Sequence, residues 1–198
     1  MAATRTAEID RETGETKISL KLSLDGGPSS ASTGVGFLDH MLDLLARHGR
    51  LGLEVKAEGD LDTGAHHTTE DVGIVLGQAI DEALGDRAGI RRYGSAVIPM
   101  DEALAECAID VSGRPFTVFD ADLPDVSIAG FDAELAEEFF RAVANNAKMT
   151  LHVHVHYGEN AHHMIEAAFK AFARALREAL SVDPDEKGVP STKGTLSS

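Results

Sequence analysis

The sequence predicts a two-layer α+β chain of two similar halves, each a sheet of about four strands covered on one face by two helices. Three observations carry this. The phrase His66-His67-Thr68-Thr69-Glu70 returns ninety-six residues on (66 to 162) as His162-His163-Met164-Ile165-Glu166. The order strand, helix, strand, helix runs twice along the chain. A shift of ninety-eight residues (37 to 135) lays Phe37–Val55 on Leu135–Val153, matching Ala46 to Ala144, Leu53 to Leu151 and Val55 to Val153.

Thr4 to Glu12 and Glu15 to Leu24 alternate polar and apolar residues, most clearly from Lys17 to Leu24, as half-buried strands do. Asp25-Gly26-Gly27-Pro28 ends them with turn chemistry. Phe37, Met41, Leu42, Leu44 and Leu45 then mark the apolar face of a helix over 37–48, with Gly49 as its stop. Leu51 to Ala57 alternates again as a strand, and after a Gly- and Asp-rich loop the segment from about Ala65 to Leu84 reads as a second helix. The second half repeats the order with a helix over Phe131–Ala147, a strand over Met149–Tyr157 and a helix over Ala161–Leu180. The expected repeats are residues 1–92 and 93–182, forming one functional domain. The stretch 183–198, with Pro184, Gly188, Pro190 and Gly194, is expected to be an irregular tail.

Composition narrows the function. The 198 residues are 43% hydrophobic, enough for real cores, and carry a net charge of −15 with a pI near 4.9. That charge repels nucleic acid and anionic membranes. The single cysteine, Cys107, lies in the apolar run Ala103–Val111 and reads as a buried thiol in a reducing compartment. No apolar run approaches a membrane span, and Met1–Glu15 lacks the plan of a signal peptide, so a cytoplasmic location is expected.

The repeated phrase is a metal-ligand pattern. On a helix His66 and Glu70 stack at i,i+4, while His67 is turned by about 100° onto the next face. One such helix offers ligands to two metals and completes neither. Two copies facing one another complete both if each ion takes a His/Glu pair from one copy and the second His from the other. The ninety-eight-residue shift adds a further pair, because His40 maps onto Glu138. One ion then has His40, His67, His162 and Glu166; the other has His66, Glu70, Glu138 and His163. Imidazole with carboxylate suits Mn, Fe, Co or Zn. His152, His154 and His156 share a strand face, but Glu54 stands opposite His152 in the first copy, so they read as a solvent or subunit-contact face. Arg91, Arg92, Arg114, Lys170 and Ser191-Thr192-Lys193 are the groups suited to an anion such as phosphate, with Arg114 held in the turn of Asp110–Pro115.

These motifs together closely resemble the imidazoleglycerol-phosphate dehydratase family. The resemblance runs from about Arg5 to the C-terminus. It rests on Phe37-Leu38-Asp39-His40-Met41-Leu42, Ala65-His66-His67-Thr68-Thr69-Glu70-Asp71, Ser112-Gly113-Arg114-Pro115, Gly158-Glu159-Asn160-Ala161-His162-His163 with Glu166, and Pro190-Ser191-Thr192-Lys193-Gly194. It implies duplicated βαβ-type halves of the ribosomal protein S5 domain 2-like kind, two Mn2+ per active site, and a 24-subunit shell with active sites between subunits. The implied reaction is dehydration of imidazole glycerol phosphate to imidazole acetol phosphate in histidine biosynthesis. The family's ligands fall on the two sets above, with Glu138 where histidine is common. Substrate contacts would fall on Glu15, His40, His48, Arg92, Arg114, Lys170, Ser191, Thr192 and Lys193, the tail closing on the phosphate.

The substrate has no carbonyl beside the hydrogen it loses. Its imidazole ring serves if metals on both nitrogens stabilise an imidazolate, from which hydroxide leaves to give a diazafulvene-like intermediate. Glu15 is the first candidate for moving the protons, followed by His48 and a metal-bound water. A dinuclear hydrolase and a metal-storage protein are the rival readings; release of inorganic phosphate would mark the first, and metal binding without turnover the second.

Overall fold

The structure is a computed structural model and describes residues 5–196. The start of the first expected strand, at Thr4, and the last two residues of the tail lie outside the described residues. The first half comprises β1 (Thr6–Glu12), β2 (Thr16–Ser23), β3 (Ser29–Ser32), α1 (Gly36–Gly49), β4 (Gly52–Gly59) and α2 (His66–Leu84). The second comprises β5 (Tyr93–Met100), β6 (Ala103–Asp110), β7 (Phe116–Asp120), β8 (Ser127–Ile128), β9 (Phe131–Asp132), α3 (Leu135–Ala147), β10 (Thr150–Tyr157) and α4 (Ala161–Leu180).

The duplication holds at the level of hydrogen-bond register. The first sheet runs β1-β2-β4-β3 and the second β5-β6-β10-β7; in each, the last pair is parallel and the others antiparallel. Leu20 pairs with Val55 in the first, and Cys107 with Val153 in the second. The hairpins therefore correspond at a shift of eighty-seven (20 to 107), and β4 and β10 at ninety-eight (55 to 153). Alternation decides the faces: Ile18, Leu20 and Leu22 are buried against the helices while Lys17 and Lys21 are exposed. Cys107 is buried on the same face of β6, and burial pushes its thiol pKa up.

Two of the boundaries that differ from the sequence reading have a plain physical cause. Phe131 is fully buried but belongs to a two-strand turn of β8 and β9, so α3 starts at Leu135. Gly49 remains helical, and Arg50 takes the left-handed conformation that ends α1, donating its N–H to the Ala46 carbonyl. The strand β3 was not foreseen. Its Ser-Ser-Ala-Ser carries no apolar alternation, and its conformation is set by pairing with β4.

Helices pair across the halves, α1 with α4 and α2 with α3, and one core joins both layers. The α2·α3 pair is close because α2 carries Gly73 and Gly77. A Cβ on Gly77 would stand 2.6 Å from the Val143 carbonyl oxygen and 2.9 Å from the Ala147 nitrogen. The pairing places the N-terminal turn of α1 beside that of α4, which positions the site below.

Gly77→Ala is expected to lower stability in chemical denaturation by about 1–3 kcal/mol, because overpacking against backbone outweighs the ~1 kcal/mol helix-propensity gain. Gly188→Ala, with nothing within 4 Å of the added methyl, is the control and should change stability by less than about 0.5 kcal/mol.

Candidate metal centre and anion site

The N-terminal turns of α1 and α4 bring His40, His162 and Glu166 together, with ligand atoms all within 4.8 Å of one another. Glu166 is buried, and its Oε2 lies 3.0 Å from His162 Nε2 and 3.5 Å from His40 Nε2, while Lys170 Nζ approaches Oε1 at 2.6 Å. Burial pushes the Glu166 pKa up, but Lys170, His162 and His40 outweigh it and hold the carboxyl below its usual range. Phe37 packs edge-on against His162 with ring centres 5.0 Å apart, fixing that ring. Two imidazoles and an ionised carboxylate on one focus fit a first-row divalent cation. Among the described residues this is the one such cluster of three.

The helix with the first copy of the phrase, α2, is less complete. His66 Nε2 lies 3.8 Å from Glu70 Oε2, as i,i+4 spacing requires. Glu138, on the facing α3, turns instead to Arg141 at 2.9 Å. Asp71 is buried, where it accepts the Thr16 hydroxyl and pairs with Arg11, so the start of α2 is pinned to the β1–β2 hairpin.

His67 and His163 lie outside the cluster of three, and each is held by carboxylates. His67 Nδ1 donates to Asp60 at 2.9 Å and its Nε2 faces Glu15 at 3.9 Å. His163 Nδ1 donates to Glu102 at 2.7 Å and its Nε2 faces Asp101 at 3.8 Å. The Asp60 hydrogen bond raises the His67 pKa, and the Glu102 bond raises that of His163. Glu102 also accepts the backbone N–H groups of Asn160 and Glu159, and its pKa falls to about 2, with the His163 bond as the largest cause. Asn160 caps α4 by accepting from the N–H groups of His162 and His163. Asp60, Asp101 and Glu102 were missed in the sequence. The eighty-seven-residue hairpin shift, which sets Glu15 opposite Glu102, was the signal available.

The cationic residues gather at the other end of the second half. Arg92 grips Asp110 with two nitrogens, at 2.7 and 3.1 Å, and donates to the Pro190 carbonyl at 2.8 Å. The Asp110 bond holds the guanidinium pKa above its ordinary value. Arg114, exposed, donates its backbone N–H to the Ser112 hydroxyl, and its carbonyl accepts from the Thr150 hydroxyl. The tail is strapped by Arg92 to Pro190, by Gly89, which donates to the Gly188 carbonyl and accepts from the Asp183 N–H, and by Arg87 to the carbonyl of buried Leu196. Ser191 and Gly194 close a turn that leaves Thr192 and Lys193 exposed.

This end is remote from the imidazoles. The Arg92 N–H meets the carbonyl of Ala179, sixteen residues along α4 from His163, or roughly 24 Å at the helical rise. His48 lies between, on α1, where burial and the charges of Lys170 and Arg174 push its pKa down. His152, His154 and His156 lie on the open face of the second sheet; His154 pairs with Asp120 and His156 with Glu106, outside the cluster.

A family model described as imidazoleglycerol-phosphate dehydratase matches residues 33–176. Imidazoleglycerol-phosphate dehydratases from Exiguobacterium and Geobacter metallireducens are 62% and 59% identical over 193 residues, covering 97% of this chain and 98% and 99% of theirs. Among solved structures, imidazoleglycerol-phosphate dehydratase from Staphylococcus aureus aligns with a TM-score of 0.83 at 46% identity, covering 90% of this chain and 99% of that one. The Pyrococcus furiosus enzyme aligns at 0.83 and 37%, covering 94% and 99%. No helix among the described residues is long and apolar enough to cross a membrane.

Arg92→Ala should loosen the tail at Pro190, one of its attachment points, and leave Asp110 without its guanidinium partner, costing about 1–3 kcal/mol. Limited proteolysis with trypsin is expected to cut after Lys187 and Lys193 faster than in the parent; unchanged cutting rates would show that the tail is held without Arg92.

Proposed function

The chain belongs to the imidazoleglycerol-phosphate dehydratase family of hydro-lyases, and from that premise we propose that it dehydrates imidazole glycerol phosphate in histidine biosynthesis, using two Mn2+ ions at active sites built between subunits. The observation that carries the reading is the separation within one chain. Imidazole ligands stand at one end of α4 and the arginines and tail at the other, about 24 Å apart, too far for one small sugar phosphate to touch both. Only a second copy supplies the missing half, which supports the proposed 24-subunit shell, with repeats 1–92 and 93–182 acting as one domain.

In this reading His40, His162 and Glu166 of one chain receive His67 from another, and His66, Glu70 and Glu138 receive His163. When bound, the ions held by these residues would supply Lewis acidity to the substrate's imidazole ring. The chain's own residues do the rest. Glu15 carries only the longer approach to His67, so its carboxylate is available to take the proton from the substrate carbon. His48, its pKa pushed down, is disposed to be neutral and to relay a proton, and Lys170 holds Glu166 ionised. Arg92, stiffened by Asp110, joins Arg114, Ser191, Thr192 and Lys193 around the phosphate, and closure of the tail excludes water.

An assay of imidazole glycerol phosphate with added Mn2+ should show dehydration without release of inorganic phosphate; release of phosphate would favour hydrolase chemistry instead. Chelation should abolish turnover and loosen the assembly, and Mn2+ should restore both; an active 21.0 kDa monomer after full metal removal would sink the reading.

Glu138→Ala is expected to cost one of the two ions, and Glu138→His to keep it, as read by metal analysis. Removing Ser191–Ser198 should lower kcat/KM by about 10- to 150-fold, the worth of a lost charge-assisted contact of roughly 1.5–3 kcal/mol. A dephosphorylated substrate should be nearly insensitive to the truncation; equal damage to both substrates would rule out a phosphate clamp.

A further inference from the structure

The two hairpin tips are twins, and they are used differently. Glu15 and Glu102 correspond at the eighty-seven-residue shift, each the residue before the second strand of its hairpin. Each stands beside the second histidine of its repeat's phrase. Glu15 faces Nε2 of His67 at 3.9 Å, whereas Glu102 accepts from Nδ1 of His163 at 2.7 Å. In the first repeat the Nδ1 partner is Asp60, at the end of β4, with Thr63 donating to the same oxygen. The corresponding point after β10, at the ninety-eight-residue shift (60 to 158), is Gly158, which offers no side chain.

A carboxylate only accepts, so an imidazole bonded to it through Nδ1 keeps its proton there and presents the Nε2 lone pair outward. Ligand histidines are held in this way in many metal sites, and loss of the holding group costs metal affinity. Glu102 is itself fixed, by the N–H groups of Glu159 and Asn160 ahead of α4.

We infer that Glu102 is a positioning residue of the metal centre, holding His163 through Nδ1 so that Nε2 meets one ion, the task Asp60 performs for His67 at the other ion, and that this division leaves Glu15 free for the substrate. The inference rests on the proposal that His67 and His163 are ligands. It also explains why the duplicated hairpin glutamates have unequal surroundings.

The test uses the assembled protein and Mn2+ alone, with affinities read by chelator competition. Glu102→Ala should weaken one of the two ions by about 10- to 100-fold and leave the other unchanged. Glu102→Gln, whose single amide oxygen can replace only one of the two carboxylate oxygens that accept from Nδ1 and from the backbone N–H groups, should lie between Ala and the parent. Asp60→Ala should weaken the other ion. His163→Asn separates the two levels of the argument. If it loses an ion while both Glu102 variants bind two ions as tightly as the parent, the positioning role is wrong and the ligand assignment stands. If His163→Asn itself binds both ions with parental affinity, the ligand assignment fails and the positioning role falls with it. Should Glu102→Ala not assemble, the Gln variant decides alone: weaker binding of one ion supports the role, and parental binding of both overturns it.

Discussion

A twenty-residue α-helix is about 30 Å long, and in this protein α4 separates two kinds of chemistry by most of that length. His162, His163 and Glu166 occupy its first turns, while Arg92, which also holds the tail at Pro190, bonds its last. The helix is buried along one face from Ala161 to Leu180, so it does not bend to bring the ends together. A site that needs both imidazoles and arginines is, in the proposed reading, closed by neighbouring copies of the chain. The rigidity of the core makes assembly part of the proposed catalytic apparatus.

The duplicated architecture supplies the ligand phrase twice, and divergence between copies gives the halves different work. Register is preserved strand for strand, so corresponding residues can be compared directly. His40 stands where the second half has Glu138, and Asp60 where it has Gly158. Arg92, which ties Asp110 to the tail, corresponds at the hairpin shift to Arg5, which pairs with Asp25 and caps α4 through the Leu180 carbonyl. The first half thus keeps a hairpin glutamate clear of strong hydrogen bonds, and the second half carries the anchored tail.

Much of this was legible in the sequence because periodicity is local. The helix α2 and the strand β10 lie within a residue or so of their expected limits, since their apolar spacing reports the face they bury. The pairing of His66 with Glu70 and of His162 with Glu166 was legible because i,i+4 spacing on a helix dictates which side chains share a face. What was not legible depends on distant partners. The strand β3 is ordered by β4, and Phe131 is buried in a turn although its spacing continues the pattern of α3. Asp60 and Glu102 lie in polar connections whose importance comes from histidines 7 and 61 positions away. Arg92 was expected near phosphate, and its bidentate hold on Asp110 follows from a pairing of strand ends that no local pattern records.

The claim that active sites are shared between chains is tested most directly by co-expressing His67→Asn and Glu166→Gln variants, each inactive alone because each removes one contribution to the same ion. If His67 and Glu166 at each site come from different chains, random co-assembly rebuilds about a quarter of the sites, and turnover should return to about a quarter of the parent's. If both residues serve the same chain's site, every site keeps one lesion. Mixed assemblies no more active than the separate variants would contradict the account.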